Sequence, residues 1–552
     1  MQRKSCKISL IISTLLILSV VFVRSSSFFD GLVWLKWEVF FFGTSILGCI
    51  LAADKHLTLS VNKFYILVSF FLLCLLIKTV SDSSLSYARW CIVAFWILYS
   101  YFSCYNFSES YIYELYTFIA FFLALVGCYQ KISGYTFMTG TYDNPAGFSV
   151  SLVCLLPFVC YRLQTSSIKS RIYFYLFVAL IACAAIIFSQ SRAAIIALIP
   201  IFLYYIPVRY KKYLCLLILL FLVYLTLGDK SASSIGRFFI LKVSASMLEF
   251  PSILWGYGFG FFKSQYMVYQ AEYFQKYDDC DYGLYADNIF HPMNEYVLFL
   301  IEQGVILSIL LLYILFIYMN KVRKDTPQFL SIVVILIVSC FSYPFRYPLI
   351  LIILSYSLSS FTQETLISIK PTLIVRVGTF LVCIIWINGI FNDARNHYIW
   401  KKQFDKVRLG KFYQVEDEYL YLSKEMESNP NFLFNYSSVL FNNGEYEKSL
   451  EWTKKCSSII DNYDVRLLLA ENYAALGDSV NALYYYKTAS NMCPNRFLPL
   501  YGIFNVYYNE HDTLNANSVG KEILSKPVKV ESDIIDRVVA DVQLKLDSLS
   551  LP

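Results

Sequence analysis

Charged residues are scarce in this chain: they make up 16% of its 552 residues, against 57% apolar and 18% aromatic. A soluble domain usually carries about 25%, and the mean hydropathy of +0.53 points the same way. So little charge excludes a chain whose apolar residues all fit inside one water-facing globule, and a bilayer must solvate part of it. The net charge is only +6, and the basic residues form no single cluster, which argues against a nucleic-acid partner. Metal-binding cysteine patterns are missing as well. There are fifteen Cys but no CxxC pair and no Cys/His spacing of a metal site. Cys49, Cys74, Cys91, Cys154, Cys183 and Cys215 lie inside apolar runs, where they act as small apolar side chains. Cys280, Cys456 and Cys493 fall in polar stretches, and their odd number argues against a disulfide framework. A clear cleavage site is also missing: Arg3, Lys4 and Lys7 precede an apolar run from Ile8 to Val23, but no clear small-x-small cleavage site follows, and further spans do. This run reads as an uncleaved first span.

What the chain has in quantity is long apolar runs. A membrane helix needs about 20 mainly apolar residues. Candidate runs lie at 8–23, 32–53, 63–80, 89–105, 112–131, 145–161, 172–189, 192–208, 213–228, 294–319, 328–343, 347–361 and 372–391. That is about 13 spans. Lys and Arg in short loops set sidedness. Arg162, Lys169 and Arg171 mark one loop, Arg209, Lys211 and Lys212 a second, and Lys321, Arg323 and Lys324 a third. With thirteen spans all three share the side of the basic N-terminus, the cytoplasm. The stretches 132–144, 189–192, 229–293 and 344–346, and everything after 391, then lie outside the cytoplasm.

Beyond Phe391 the composition turns polar. Gly410, Gly444 and Gly477 recur at nearly constant spacing in the similar contexts LGKFYQVEDEYL, NGEYEKSLEW and LGDSVNALYY. The period matches the roughly 34 residues of a tetratricopeptide unit. Ala482 and Ala516 continue the register, Pro430 and Pro494 close units, and Tyr436, Leu440, Tyr473 and Leu476 recur on the stacking face. Each glycine supplies a permissive turn between two helices. The expected fold is therefore all-α: a polytopic transmembrane bundle over 1–392, with a large outer loop at 229–293, and a tetratricopeptide-like α-solenoid over 397–552. Such repeats bind protein partners or brace a neighbouring domain.

The chemistry-bearing residues gather on one expected face. TGTYDNPAGFS (139–149) enters a span through Asp143, Asn144 and Pro145, and SQSRAA (189–194) puts Arg192 at a span mouth. The stretch 234–262 carries Arg237 and a glycine-rich turn. ADNIFHPMNEYVLFLIEQG (286–304) places His291 before a span and Glu302 within it, and YPFRYP (343–348) holds Arg346 between two prolines. A carboxylate inside a span costs about 2.5–3.5 kcal/mol on insertion scales, so Glu302 needs a reason to be there. Taken singly, each has a plain alternative: a snorkelling arginine, an interfacial histidine, a carboxylate paired inside the bundle. Glu38 and Lys36 read as a structural pair, and Trp34 and Trp90 as interface belt residues.

In this order and spacing the segments from about 139 to 346 resemble the O-antigen ligase superfamily, bacterial membrane glycosyltransferases that draw a glycan from a polyprenyl-diphosphate carrier. The resemblance implies an enzyme of the cytoplasmic (inner) membrane, N-terminus in the cytoplasm and repeats outside. It also implies a carrier-linked glycan as donor and a glycan, lipid or protein as acceptor, with no separate cofactor. Negative charge grows on the departing diphosphate, which Arg192, Arg237 and Arg346 are suited to hold through paired N–H donors. His291 is the candidate general base, with Asn144 and Glu302 as supporting polar groups. No His/Cys ligand set on the outer face calls for a metal. A ligase, a polymerase and a protein O-oligosaccharyltransferase all fit. Outside this class stand a lipid-linked glycan transporter, which should show internal span repeats, and a plain anchor for the repeats, which needs far fewer spans.

Overall fold

A computed structural model describes the chain except for residues 1, 80–83, 105–107, 206, 208, 210–230, 278–279, 360, 362–364 and 551–552. In chain order the first helices are α1 (Gln2–Phe22), α2 (Trp34–Ala53), α3 (Lys63–Lys78), α4 (Ser84–Cys104), α5 (Glu109–Ile132), α6 (Pro145–Thr165), α7 (Lys169–Phe188) and α8 (Arg192–Tyr205). The stretch 229–293 holds α9 (Ser231–Ser246), α10 (Ser252–Trp255), α11 (Phe261–Lys276) and α12 (Cys280–Gly283). There follow α13 (Glu295–Lys321), α14 (Pro327–Ser339), a 3-10 turn at Pro344–Arg346, α15 (Pro348–Ser359) and α16 (Leu373–Val407). Two short strands, β1 (Leu59–Val61) and β2 (Ile367–Ile369), pair antiparallel with Leu59 opposite Ile369.

Among the described residues six helices, α2, α5, α6, α7, α13 and α16, are long and apolar enough to cross a membrane. Shorter apolar stretches accompany them at Lys7–Phe22, Ala88–Ser100, Arg192–Tyr205, Pro327–Ser339 and Pro348–Ser359. The span expected at 213–228 lies outside the described residues. The chain is a multi-pass membrane protein by these helices, and its contacts divide it into two compact units.

The first unit comprises residues 1–224, 293–299 and 305–401. Its centre is α6, buried on every side from Gly147 to Val159, as befits a helix apolar all round. Asn144 starts α6 by accepting from the Gly147 N–H at 2.8 Å, and Pro145 takes the first turn, where its missing N–H costs nothing. The polar contacts between helix ends fall into two groups. At one end Lys36 of α2 donates to the Val20 carbonyl of α1 at 3.1 Å, and Thr141 donates to that of Val21 at 2.6 Å. At the other, Glu114 of α5 accepts from Arg162 of α6 and from Tyr175 of α7. Arg376 of α16 donates there to the carbonyls of Ala52 and Ala53 at 2.9 and 3.0 Å.

Lys36 and Glu38 do not pair with each other. Two residues apart on a helix, they face different ways. Glu38 instead receives Arg89 of α4 at 2.6 Å, and the same guanidinium reaches Asp393 of α16 at 2.6 Å.

The second unit comprises 225–292, 300–304 and 402–552. The sequence assigns the large loop to the transmembrane part, but contacts group it with the C-terminal helices. These are α17 (Glu416–Glu425) and three helical hairpins: α18 (Pro430–Asn442) with α19 (Tyr446–Ser457), α20 (Tyr463–Ala475) with α21 (Ser479–Met492), and α22 (Leu498–Asn509) with α23 (Thr513–Ser525). Helix α24 (Asp533–Ser550) packs on the last. The glycines Gly410, Gly444 and Gly477 take φ of 75°, 81° and 77° at helix ends. The next hairpin puts His511 in the same place, with φ 60°. Of the expected stacking residues, Tyr436 and Leu440 are buried, whereas Leu476 is 37% exposed.

Candidate functional site

The candidate residues divide between the units, with Asn144, Arg192 and Arg346 in the first and Arg237, His291 and Glu302 in the second.

In the first unit, one polar cluster forms where the entry to α6 meets the 3-10 turn. Arg346 places Nη2 2.8 Å from Asp143 Oδ2, with its guanidinium 5.8 Å from the Tyr343 ring centre. Its own carbonyl accepts from Trp37 Nε1 at 2.9 Å, which fixes the turn against α2. The other carboxylate oxygen, Asp143 Oδ1, accepts from the Tyr347 hydroxyl at 2.8 Å. Asn144 spends its side chain twice: the oxygen caps α6, and the NH2 reaches Tyr347 Oη at 2.9 Å and Tyr343 Oη at 3.3 Å. The Tyr347 hydroxyl thus stands between Asp143 and Asn144. Gly147 admits this ring, since a Cβ there would lie 2.3 Å from Tyr347 Cζ. The result is a carboxylate that aims a half-exposed guanidinium, with N–H donors left over for an anion. Asn144 and Arg346 thus meet through Asp143. Asp143 and Tyr347 carry roles that the sequence reading had not assigned.

Arg192 opens α8 and is half-buried. It follows the turn at Ser189–Ser191, in which Gln190 is left-handed at φ 56°.

In the second unit, Glu302 has a partner that no side-chain pattern could reveal. Helix α13 breaks at Gly304, where φ is 80° and ψ 174°. A break leaves carbonyls without their intrahelical N–H, and a buried carbonyl needs another donor. The glycine-rich turn supplies it: Tyr257 N–H reaches the Ile301 carbonyl at 3.1 Å and Gly258 N–H that of Glu302 at 2.8 Å. Gly260 N–H then reaches Glu302 Oε1 at 3.0 Å. The approach is close enough that a Cβ on Gly256 would lie 2.4 Å from the Glu302 carbonyl oxygen, and one on Gly304 2.4 Å from the Gly256 nitrogen. The turn is braced by Tyr257 stacked on Phe261, with ring centres 4.0 Å apart. Glu302, 7% exposed, is thereby a docking post for the turn.

Arg237 sits half-buried in mid-α9 rather than in an open loop. Beyond it on the same helix, Phe239 stacks on Tyr282 at 5.0 Å. His291 is half-buried in the extended stretch between α12 and α13. Two residues later Met293 turns left-handed (φ 57°), and Asn294 caps α13 by accepting from the N–H groups of Tyr296 and Val297. Among the described residues no three His, Cys, Asp or Glu side chains converge as a metal site would require.

Residues 177–312 match the family described as O-antigen ligase. The match runs from α7 through the large loop to the body of α13, and so contains Arg192, Arg237, His291, the glycine-rich turn and Glu302. No match is found among curated proteins. The matched segment is thus similar to the O-antigen ligase family, whose activity is glycosyltransferase-like.

Proposed function

We propose that the protein transfers a glycan from a polyprenyl-diphosphate carrier to an acceptor hydroxyl on the outer face of the cytoplasmic membrane. The observation that carries this reading is the family match over 177–312, since that one segment holds three of the four proposed catalytic residues. In the reaction, the acceptor oxygen bonds to the anomeric carbon and the bond from that carbon to the carrier's phosphate oxygen breaks. The electron pair leaves with the diphosphate, and the hydroxyl proton passes to neutral His291. Arg192, Arg237 and Arg346 stabilise the charge on the departing lipid diphosphate. For Arg346, the aim set by Asp143 supports the role, because a pre-oriented guanidinium loses less freedom on meeting a phosphate.

In the same reading the bundle has thirteen spans, the N-terminus is cytoplasmic, and the C-terminal helices are a tetratricopeptide-like solenoid outside. The grouping of helix ends supports that sidedness. Val20, Lys36, Thr141 and Arg346, all expected outside, cluster together, and Glu114, Arg162 and Arg376, all expected inside, lie at opposite helix ends. Hairpins that begin at Pro430, Tyr463 and Leu498, 33 and 35 residues apart, support the repeat. Ligase, polymerase and protein O-oligosaccharyltransferase differ only in the acceptor.

The test is glycan transfer from a polyprenyl-diphosphate donor in membranes, scored against protein abundance. His291→Ala should lower transfer by about 10²–10⁴-fold, the usual contribution of a general base. Arg192→Lys should impair it too, because an ammonium lacks the planar fork. Near-normal transfer in both variants would sink the mechanism. Wild-type membranes that move the carrier-linked glycan across the bilayer without forming product would point to a transporter instead.

A further inference from the structure

The C-terminal hairpins and the stretch that leads to His291 share a seam of specific polar contacts, all within the second unit. Asn495, in the turn between α21 and α22, donates to two backbone carbonyls of the loop, Leu284 at 3.2 Å and Ala286 at 2.7 Å. Its neighbour Arg496 donates to Asp287 Oδ1 at 2.7 Å, and Lys529 Nζ stands 4.0 Å from Asp287 Oδ2. Asn288 donates to Asp464 of α20 at 2.8 Å. Gln270 of α11, fully buried, donates to the Asp287 carbonyl at 3.1 Å and to the Met492 carbonyl at the end of α21. A backbone bond joins Asp461 N–H to the Ser264 carbonyl at 3.1 Å.

Three features separate this seam from ordinary packing. First, Asn495 and Gln270 grip main-chain carbonyls at 284, 286 and 287, so they fix the course of the backbone and not only side-chain positions. Second, the hairpins contribute from two successive inter-hairpin turns, 461–464 and 492–496, so the loop lies across the repeat period. Third, the held stretch ends at Asn288, three residues short of His291. An extended chain spans at most about 3.5 Å per residue, so His291 lies within roughly 10 Å of the last anchored position. A displacement at 284–288 therefore has only three residues over which to be absorbed before His291.

We infer that the C-terminal hairpins act in cis as the scaffold that sets the position of His291, with Asn495 and Arg496 as positioning residues for the transfer step. The inference rests on the transferase reading and gives the repeats a role inside the reaction. An error of about 1 Å in a reacting group costs on the order of 10²-fold in rate, so loosening the seam lowers kcat while the donor's own contacts persist. The Asp287–Arg496 pair holds across neutral pH. Burial alone would raise the Asp287 carboxyl, but the hydrogen bonds from Arg496 and the Asn288 N–H, with the charges of Arg496 and Lys529, hold it below the ordinary carboxylate range. The pair therefore loosens only in strong acid.

The experiment uses the full-length protein in membranes or detergent, with Asn495→Ala, Arg496→Ala and the conservative Arg496→Lys. Two readouts run together: steady-state transfer, and amide hydrogen exchange over 284–292 and over 430–525. Asn495→Ala and Arg496→Ala should each lower kcat tenfold or more, with donor KM within about twofold, and should speed exchange at 284–292 alone. Arg496→Lys keeps a cation within reach of Asp287 and should recover most of kcat. Wild-type kcat in both alanine variants overturns the inference and leaves the transferase reading intact. So does accelerated exchange throughout 430–525, which would make these residues general supports of the hairpins. A wild-type protein that forms no transfer product overturns the transferase reading, and the inference with it, whatever the exchange shows.

Discussion

Replacing Gly304 by Ala should release the glycine-rich turn from α13, and the cost can be built from the geometry. At φ 80° and ψ 174° the residue occupies a region open essentially to glycine alone, where another residue pays about 1–3 kcal/mol. The new methyl would also lie 2.4 Å from the Gly256 nitrogen and from the Trp255 carbonyl carbon. Backbone cannot yield as a side chain tip can, so the turn must lift away. Lifting loses the hydrogen bonds from Tyr257 and Gly258, about 0.5–1.5 kcal/mol each, and the one from Gly260 to a carboxylate, about 1.5–3 kcal/mol. The expected penalty is about 3.5–9 kcal/mol, confined to the turn. Gly256→Ala meets the same obstacle from the other side. Gly258→Ala does not: at φ 101° with nothing within 4 Å of its Cβ, it carries strain alone, about 1–3 kcal/mol. Amide exchange at 256–260 and thermal inactivation of transfer in membranes should therefore rank Gly304 and Gly256 well above Gly258. The double variant Gly256→Ala/Gly304→Ala should cost little more than either single one, since a released turn cannot be released again. Equal effects at Gly304 and Gly258 would refute the docking argument.

Asp143→Asn should change stability by less than about 1 kcal/mol, as befits a half-exposed ion pair, and should raise the donor KM because Arg346 loses the carboxylate that aims it; a lowered KM would mean that Asp143 mainly competes with the phosphate for the guanidinium. Burial pushes the Glu471 carboxyl up from 4.5 to about 7. The unfolded chain ionises first, so folding loses stability as pH rises through that window, by up to about 3 kcal/mol. Glu471→Gln should accordingly raise the melting temperature at pH 7.5 and not below pH 4.5, and a gain independent of pH would contradict the assignment. His511→Gly should stabilise the last hairpin by about 1 kcal/mol by relieving the left-handed backbone, measured as slower amide exchange over 498–525; faster exchange would show that the imidazole makes contacts worth more than the strain.

How much of this was legible in the sequence depends on where each partner lies. Gly410, Gly444 and Gly477 announce the hairpin turns because glycine is the default for positive φ. The fourth position escaped notice because His511 keeps the backbone angle while changing the residue type. The polar entry to α6 was readable as a motif, but its organisation was not: Asp143 and Tyr347 are 204 positions apart. Glu302 was recognised as a carboxylate in need of a reason, yet its reason is a backbone N–H, which every residue but proline offers. Pairing Lys36 with Glu38 failed on helix geometry, since neighbours two apart point to different faces. The polar residues of the loop and of the hairpin turns each resemble solvated surface. Only the fold brings Asp287 to Arg496, 209 positions away.

The pairing of β1 with β2 carries a consequence for biogenesis. Leu59 lies opposite Ile369, 310 positions later. At about 5–20 residues per second of synthesis, β1 waits roughly 15–60 s for its partner, with strand N–H and C=O groups open to other chains. Arg89 faces no such delay: Glu38 has already been made when it emerges, and Asp393 arrives later to share the same guanidinium. The nascent bundle thus carries the half-buried Arg89 neutralised from the start but its strand edge uncovered until nearly the last apolar helix. A chain truncated before Ile367 would keep that edge open permanently, an invitation to strand-pair with another copy that the full-length protein withdraws only at the end of its assembly.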